Sequence, residues 1–291
     1  MTSRPLTPAI LKSYRAGTFH LTAAGRVASP DQAVAFVNER GFAYFWPIQG
    51  VDLPSLWAAV AGDRPVASAH DDPGHITWGW KDSLLGTGVW HYAKLLRGKA
   101  TLVAPEVAPA FYALSENFGE PREDAEALYR AGALSREAFR LFEILLDKGR
   151  QHTIALRREA GMTSRESNTR FERALTELQV NWLIAPAAVA KAGAWRYAFV
   201  YESVVKLWPD LAAQAEKITR RAARATLLDL FLRSVGAATP AQAQKLFRWP
   251  KSDVRSAALD LMEVGAAREV ASLGALAGPL WVTAKLLKGS P

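Results

Sequence analysis

Three amphipathic segments followed by two β-prone runs occupy residues 135–201, and this order constrains the fold more than any other feature of the sequence. The first helix is predicted from one apolar stripe, which contains Phe139, Phe142, Leu145 and Leu146. A short helix follows over 151–160, and Ser164 stands where a longer helix to about residue 179 would have its N-cap. Strands are predicted over 182–184 and 195–201. Three helices and a two-stranded ribbon make a winged helix, whose third helix enters the DNA major groove.

The outward face of the third predicted helix carries side chains that suit phosphates and base edges. These side chains are Arg165, Asn168, Thr169, Arg173 and Thr176. Acidic residues on the same helix weaken its attraction for DNA, namely Glu166, Glu172 and Glu177. The pattern therefore favours a DNA-binding helix, with an ordinary solvated helix face as the alternative.

Composition limits the classes of protein that remain. A chain of 291 residues predicts two or three domains, and a hydrophobic share of 49% with ten tryptophans is enough for real cores. The absence of cysteine excludes disulfides, cysteine-ligated zinc and thiol nucleophiles. The first ten residues do not resemble a signal peptide, and no run approaches 18 apolar residues, so we expect a cytoplasmic protein without a membrane span.

The net charge of +8 is concentrated in the middle of the chain. Residues 145–260 contain 19 Lys and Arg against 11 Asp and Glu, whereas residues 1–144 contain 14 against 15. A charge serving only solubility would be spread more evenly. The local excess indicates a nucleic-acid surface.

The first 130 residues predict a more divergent unit of the same kind. A short helix is expected over 8–16, and Ser29 and Pro30 begin a helix that ends before Gly41. A β-prone run over 42–48 and a helix over 53–60 follow, with Asp52 as its candidate cap. Residues 61–110 are irregular and rich in aromatic side chains, and residues 119–132 form an acidic connector.

Two clusters in this irregular part invite functional interpretations. The segment 70–75, His-Asp-Asp-Pro-Gly-His, contains metal-ligand types, but its spacing matches no known site, and we expect a solvated turn and neither metal nor cofactor. Lys94, Arg97 and Lys99 form a small basic cluster before a predicted strand at 100–103.

The pattern of helices and ribbon recurs near the C-terminal end. Helices are predicted over 211–235, 240–247 and 250–264, and strands over 267–270 and 280–284. Basic side chains placed to bind phosphates are Arg220, Arg221, Arg224, Lys251 and Arg255, with an idle basic surface as the alternative. The predicted fold is mainly α with small β wings, in tandem winged-helix units over 1–130, 131–209 and 210–291 around a concave basic surface.

The chain resembles the AlkZ-like (YcaQ-like) family of tandem winged-helix DNA glycosylases. The resemblance is carried by SPDQAVAFVNERGFAYFWPI, LWAAVAGDRP, FERALTELQVNWLIAPA, GAWRYAFVYE and TPAQAQKLFRWPKSDVRSAALDLMEVG. It implies three winged helices around a basic channel for duplex DNA, and excision of alkylated or crosslinked bases.

The resemblance also exposes a departure at the catalytic positions. The family carries Gln-x-Asp or Gln-x-Gln on the strand after the second helix, and the matching positions here are Tyr44 and Trp46. Base excision needs a carboxylate or amide to position water at the anomeric carbon, and neither a phenol nor an indole supplies one. Gln49 and Asp52 stand a few residues on and offer a relocated pair.

Three interpretations stay open. The first is a DNA-binding protein of this architecture without the family's standard chemistry, and the second is an active glycosylase that uses Gln49 and Asp52. The third is a transcriptional regulator whose winged helices bind specific operators, or whose aromatic region 78–92 senses a ligand. In the first two cases the expected partner is double-stranded DNA, including damaged DNA, and the protein is expected to be a monomer associated with the nucleoid.

Overall fold

The computed structural model describes residues 6–69, 71–194, 196–273 and 276–287, and three segments within these ranges repeat one order of elements. Each repeat consists of a helix, a short strand, two further helices and two strands. The first contains α1 (Pro8–Thr18), α2 (Pro30–Arg40), β1 (Phe42–Tyr44), α3 (Leu56–Ala61), α4 (Ile76–Leu84), β2 (His91–Lys94) and β3 (Ala100–Val103). In this first segment α1 precedes the repeated order, which begins at α2.

The second segment follows two connecting helices, α5 (Ala108–Tyr112) and α6 (Pro121–Arg130). Its elements are α7 (Arg136–Lys148), β4 (Gln151–His152), α8 (Thr153–Glu159), α9 (Asn168–Val180), β5 (Ile184–Ala190) and β6 (Ala198–Ser203). The predicted helices and ribbon of this segment are therefore present, and Ser164 accepts a hydrogen bond from the Ser167 amide as expected of a cap. The β5 strand begins later than predicted, and Trp195 lies outside the described residues.

The third segment begins after α10 (Val204–Leu207) and α11 (Leu211–Glu216). It contains α12 (Arg220–Val235), β7 (Ala237–Ala238), α13 (Pro240–Phe247), α14 (Lys251–Glu263), β8 (Ala267–Leu273), β9 (Leu276–Thr283) and α15 (Ala284–Leu287). The prediction of a single helix over 211–235 is wrong, because the structure has two helices there, α11 and α12, with a break between Glu216 and Arg220. The Thr219 side chain accepts a hydrogen bond from the Ala222 amide and starts α12 as a separate helix.

All three sheets have the same antiparallel topology. The third strand of each repeat lies in the centre and pairs with the first and second, giving the orders β1-β3-β2, β4-β6-β5 and β7-β9-β8. The fold is thus mainly helical with three small antiparallel sheets, as predicted. No helix in the described ranges has both the length and the hydropathy required to cross a membrane.

The core distribution connects the first segment to the third. One large hydrophobic cluster includes Phe36, Phe42 and Leu56 from the first segment and Phe231 and Trp281 from the third. The second segment has its own cluster around Phe142 and Phe171. The division of the chain into units that end at residues 130 and 209 remains a prediction. The shared cluster packs the first of these units against the third.

The helix α1 packs on the third segment rather than on its own neighbours. Leu11 and Tyr14 share a hydrophobic cluster with Leu280, Val282 and Leu286. The Tyr14 hydroxyl donates to the Arg233 carbonyl at 2.7 Å, and the Arg15 Nε donates to the Val235 carbonyl at 2.8 Å. These bonds satisfy carbonyls near the C-terminal end of α12, which have no partner within the helix.

Helices also occur in two segments for which the sequence predicts none, the irregular aromatic region and the acidic connector. The acidic connector contains α6, which begins at Pro121 and buries Ala125 and Leu128 against α7. The aromatic region contains α4, whose buried Trp80 joins the large cluster. In the predicted turn at 70–75, Asp72 accepts from the Gly74 amide and from Arg64, and His70 lies outside the described residues.

Candidate nucleic-acid interface

An open groove of about 780 Å³ runs between the exposed face of α9 and the turn that joins β2 to β3. The α9 wall is formed by Asn168, Thr169, Glu172, Arg173 and Thr176. The turn contributes Lys94, Arg97 and Gly98, and Arg248 reaches the groove from the end of α13. All three repeated segments therefore supply residues to one groove.

Hydrogen bonds hold the β2–β3 turn against α9. The Lys94 amide donates to Gln179 Oε1 at 3.0 Å, and the buried Gln179 is itself fixed because its Nε2 donates to the Leu175 carbonyl. At Gly98, which has φ +67°, a Cβ atom would lie 3.4 Å from the methyl carbon of Thr176. Glycine thus favours the left-handed backbone here, and the two walls lie at van der Waals distance from each other.

A second cavity of about 260 Å³ lies where α9, the turn and α13 meet. It shares Arg97 and Arg248 with the groove, and its apolar lining includes Trp182, Phe247 and Trp249. The rings of Phe247 and Trp249 are stacked with centroids 4.2 Å apart. The two spaces therefore have both arginines in common, at the point where the three segments meet.

Residues predicted to bind DNA on α9 are exposed, but they do not all lie in the groove. Asn168, Thr169 and Arg173 line it, whereas Arg165 belongs to the 3₁₀ turn Arg165–Ser167 that precedes α9 and stands outside it. Arg173 Nε donates to Glu177 Oε1 at 3.0 Å. This i,i+4 ion pair reduces the free charge that Arg173 offers to a phosphate.

The basic residues predicted in the third segment fall into two groups. The arginines of α12 form ion pairs, Arg220 with Glu116, Arg221 with Asp260 and Arg224 with Asp253. Lys251 and Arg255 of α14 are exposed and have no carboxylate within 4.0 Å among the described residues. The structure thus leaves more unneutralised charge on α14 than on α12.

Tyr44 lies at the end of β1 and is fully buried. Its hydroxyl donates to the Leu96 carbonyl at 3.4 Å. Burial raises the pKa of Tyr44 to about 12, although the positive charges of Arg97 and Arg248 oppose the shift. The phenol is therefore protonated at neutral pH and faces the two arginines that the cavities share.

Trp46 is half-buried and follows β1 into a cluster of aromatic rings. Its indole lies edge-on to His75 at 5.0 Å and to Trp78 at 6.1 Å, and its Nε1 has no hydrogen-bond partner among the described residues. On α4, Trp78 is 42% exposed and Ile76 is 51% exposed. The exposed face of α4 is consequently apolar, in contrast to that of α9.

Gln49 and Asp52 are exposed, and the structure does not join them by a hydrogen bond. Asp52 instead accepts from Gln242 Nε2 at 3.1 Å and forms an ion pair with Arg15 at 3.1 Å. Neither Gln49 nor Asp52 lines the groove. Asp52 is bound to Gln242, which lies about 9 Å along α13 from Arg248, the residue of that helix end that does line the groove. The predicted cap role of Asp52 is wrong, because Ser55 accepts from the Ala58 amide and caps α3.

Sequence patterns miss two cationic groups of this region. Arg248 follows α13 in a left-handed conformation, and nothing local places it beside Arg97. Lys81 of α4 is buried, although lysine side chains are mostly exposed, and its Nζ lies 4.5 Å from the centre of the Phe199 ring. Both placements depend on contacts between segments far apart in the chain.

The whole arrangement is similar to a known enzyme fold. The solved structure of Streptomyces sahachiroi DNA glycosylase AlkZ superimposes with a TM-score of 0.60 and 14% identity, covering 99% of this chain and 73% of that chain. At that identity the likeness establishes the fold. A family model described as AlkZ related matches residues 27–248, and the chain belongs to this AlkZ-related family. No curated protein matches the sequence.

Proposed function

We propose that this protein is a tandem winged-helix DNA-binding protein, related to glycosylases for alkylated or crosslinked bases, that lacks their standard excision chemistry. The observation that carries the proposal is Tyr44, a buried phenol at a position that the resemblance assigns to the catalytic pair. A phenol whose pKa is raised by burial keeps its proton and cannot activate water near neutral pH.

Trp46 occupies the other position of that pair. An indole nitrogen donates a hydrogen bond but accepts none, so it cannot position a water molecule for attack on a sugar carbon. Its place among Trp78 and His75 suits packing or contact with a base. Both substitutions remove chemistry and leave the surrounding fold in place.

The binding half of the proposal rests on the repeated segments and the groove. Each segment has the helix, strand, helix, helix and two-strand order of a winged helix, so α4, α9 and α14 take the place of recognition helices. The groove beside α9 is lined by Asn168, Thr169 and Arg173, side chains that contact phosphates and base edges. The exposed Lys251 and Arg255 of α14 supply further charge for a basic concave surface.

Base excision by a relocated pair is the second candidate function. It is favoured by the carboxylate of Asp52, whose side chain is 46% exposed and so accessible to a substrate. Arg15 and Gln242 hold this carboxylate, and no hydrogen bond joins it to Gln49 among the described residues. A glycosylase of this kind would need the 47–54 loop to move.

Because α9 and α14 belong to one chain, a monomer is sufficient to contact two parts of a duplex, and we expect a monomer associated with the nucleoid. A winged-helix regulator would more often use one such helix in each subunit of a dimer. A monomer that binds duplexes without regard to sequence would separate the proposal from that alternative.

The test is incubation of the purified protein with duplexes that carry an alkylated purine or an interstrand crosslink. Released bases and abasic sites are assayed, and binding is followed in the same samples at two salt concentrations. Binding that weakens with salt and is not accompanied by excision is the expected result. Release of a base would overturn the loss of chemistry, and no binding to any duplex would overturn the proposed function itself.

A further inference from the structure

Two arginines with left-handed backbones meet where the groove and the second cavity join. Arg97 has φ 57° in the β2–β3 turn, and Arg248 has φ 59° at the end of α13. Non-glycine residues adopt this conformation rarely and at a cost in free energy, and such outliers cluster at functional sites. Arg248 is also the left-handed C-cap of α13, where its amide donates to the Gln244 carbonyl, and Arg97 precedes the left-handed Gly98 in the turn. The distinguishing feature of the junction is therefore that it brings two arginines together.

Neither arginine has a carboxylate partner within 4.0 Å in the part of the chain that the structure describes. The Arg97 Nη1 atom is buried and makes no hydrogen bond there. Guanidinium groups that serve only structure are usually paired when they are buried, as Arg224 is paired here with Asp253. Arg97 thus has unused donor capacity at a position that lines both the groove and the second cavity.

The acidic groups nearest to the junction are already engaged. Glu177 accepts from Arg173 and from the Ser135 amide, and Glu172 lies 3.8 Å from Lys94 Nζ. Glu116, which lines the second cavity, is paired with Arg220. The junction therefore carries two positive charges that the surrounding carboxylates leave unneutralised.

We propose that Arg97 and Arg248 form a phosphate-binding pair that grips one backbone phosphate of DNA lying along the α9 groove. Two guanidinium groups provide forked N–H donors that match phosphate oxygens, and two full charges meet one anion. An open groove of about 780 Å³ beside the pair accommodates a strand that continues on either side of this phosphate. The inference rests on the proposed function, and it makes the pair the point where the first and third segments hold the DNA together.

The pair also acts on Tyr44 electrostatically. Tyr44 is fully buried, its hydroxyl donates to the Leu96 carbonyl beside Arg97, and the positive charges of Arg97 and Arg248 oppose the rise of its pKa. Because the phenol keeps its proton at neutral pH, a phosphate held by the pair would meet no general base at residue 44.

The test compares Arg97→Gln, Arg248→Gln and the double variant with wild type in duplex binding over a range of salt. Loss of one phosphate contact lowers the slope of log K against log salt by about 0.9, so the affinity drop between 50 and 200 mM salt becomes about threefold smaller. Arg97→Lys with Arg248→Lys should keep most of the slope. Arg130→Gln, an exposed arginine of α6 paired with Glu126, is the matched control and should leave the slope unchanged.

A thermal readout distinguishes a functional pair from a structural one. Removing an unpartnered cation should leave the melting temperature of the Gln variants equal to or above that of wild type, while binding weakens. A wild-type slope retained by the double variant, in a protein that binds duplexes well, would overturn the pair and leave the proposed function standing.

If the wild-type protein binds no duplex, the proposed function fails. The arginine pair is then tested separately by the binding of inorganic phosphate. Phosphate at an ionic strength matched with chloride should raise the melting temperature of wild type but not of the double variant. That result would keep the site as one for free phosphate. Equal melting temperatures in phosphate and chloride for wild type would overturn it.

Discussion

The Nζ atom of Lys81 lies 3.1 Å from the hydroxyl of Tyr197, a residue 116 positions further along the chain. The same hydroxyl donates to Asp82 Oδ1 at 3.0 Å, and Lys81 is paired with Asp82. Burial lowers the pKa of Lys81, and its pairing with Asp82 opposes that shift. This contact joins α4 of the first segment to the start of β6 in the second, inside a cage of aromatic rings.

Tyr197→Phe should lower the free energy of unfolding by about 1–3 kcal/mol, because it leaves a buried ammonium with one fewer hydrogen-bond partner. Urea unfolding followed by tryptophan fluorescence measures the change. The matched control is Tyr129→Phe, since Tyr129 is 40% exposed and contributes by stacking on Phe139. Equal effects of the two substitutions would mean that the Tyr197 hydroxyl does not support Lys81.

His91→Phe should remove an acid sensitivity from the protein. His91 is buried against Trp182 and Trp208, and neither ring nitrogen has a hydrogen-bond partner among the residues that the structure describes. Burial lowers its pKa to about 3. Between this value and the unfolded value of about 6.5, the unfolded chain binds the proton and the folded chain does not. Wild-type stability should therefore fall by about 1.4 kcal/mol for each pH unit below 6.5 from this group alone.

Unfolding curves of both proteins from pH 4.5 to pH 8 check this expectation. The variant should match or exceed wild type at pH 7, since no hydrogen bond is lost, and its advantage should grow as the pH falls. Above pH 6.5 the two profiles should run parallel. Parallel profiles across the whole range would contradict the burial of a neutral imidazole at residue 91.

Asp52→Ala should separate packing from chemistry in the 47–54 loop. The ion pair with Arg15 is partly exposed, so its loss should cost no more than about 1 kcal/mol of stability and leave duplex binding unchanged. If the protein excises bases through Asp52, the same substitution should abolish excision. Asp63→Ala, an exposed carboxylate in the loop after α3, is the control, and excision that survives Asp52→Ala would refute the relocated pair.

Replacing Arg165 and Arg173 together by alanine should weaken duplex binding and flatten its salt dependence. Arg165 lies in the turn before α9 and Arg173 in the middle of that helix, and both side chains are exposed where a recognition helix would approach phosphates. Fluorescence anisotropy with a labelled duplex at several salt concentrations measures the slope. A slope identical to that of Arg130→Ala would remove α9 from the interface.

Local sequence signals predicted those parts of the fold that short-range chemistry determines. Ser29, which the sequence predicts to begin a helix, accepts a hydrogen bond from the Gln32 amide and caps α2. Ser135 and Thr239 cap α7 and α13 in the same way. α4 escaped prediction because its two tryptophans and Gly79 have weak helix propensity, and burial of Trp80 in a distant cluster stabilises it.

The candidate site was less accessible to sequence reasoning than the fold. Arg220 was expected to bind phosphate, but Glu116, 104 positions earlier, lies 2.9 Å from it. Arg97 was visible in a basic cluster, whereas its partner Arg248 belongs to another segment. Pairing between distant residues decides which cations are neutralised, and no local spacing reports such pairing.

The attachment of α1 to α12 has a consequence for biosynthesis. Tyr14 bonds to the carbonyl of Arg233, 219 positions later, so α1 is completed by a helix that is synthesised much later. At about 5–20 residues per second this interval is on the order of 10–45 s. During that time α1 exposes the apolar side chains of Leu11 and Tyr14, to which a chaperone could bind. These side chains are buried only when the third sheet has been synthesised.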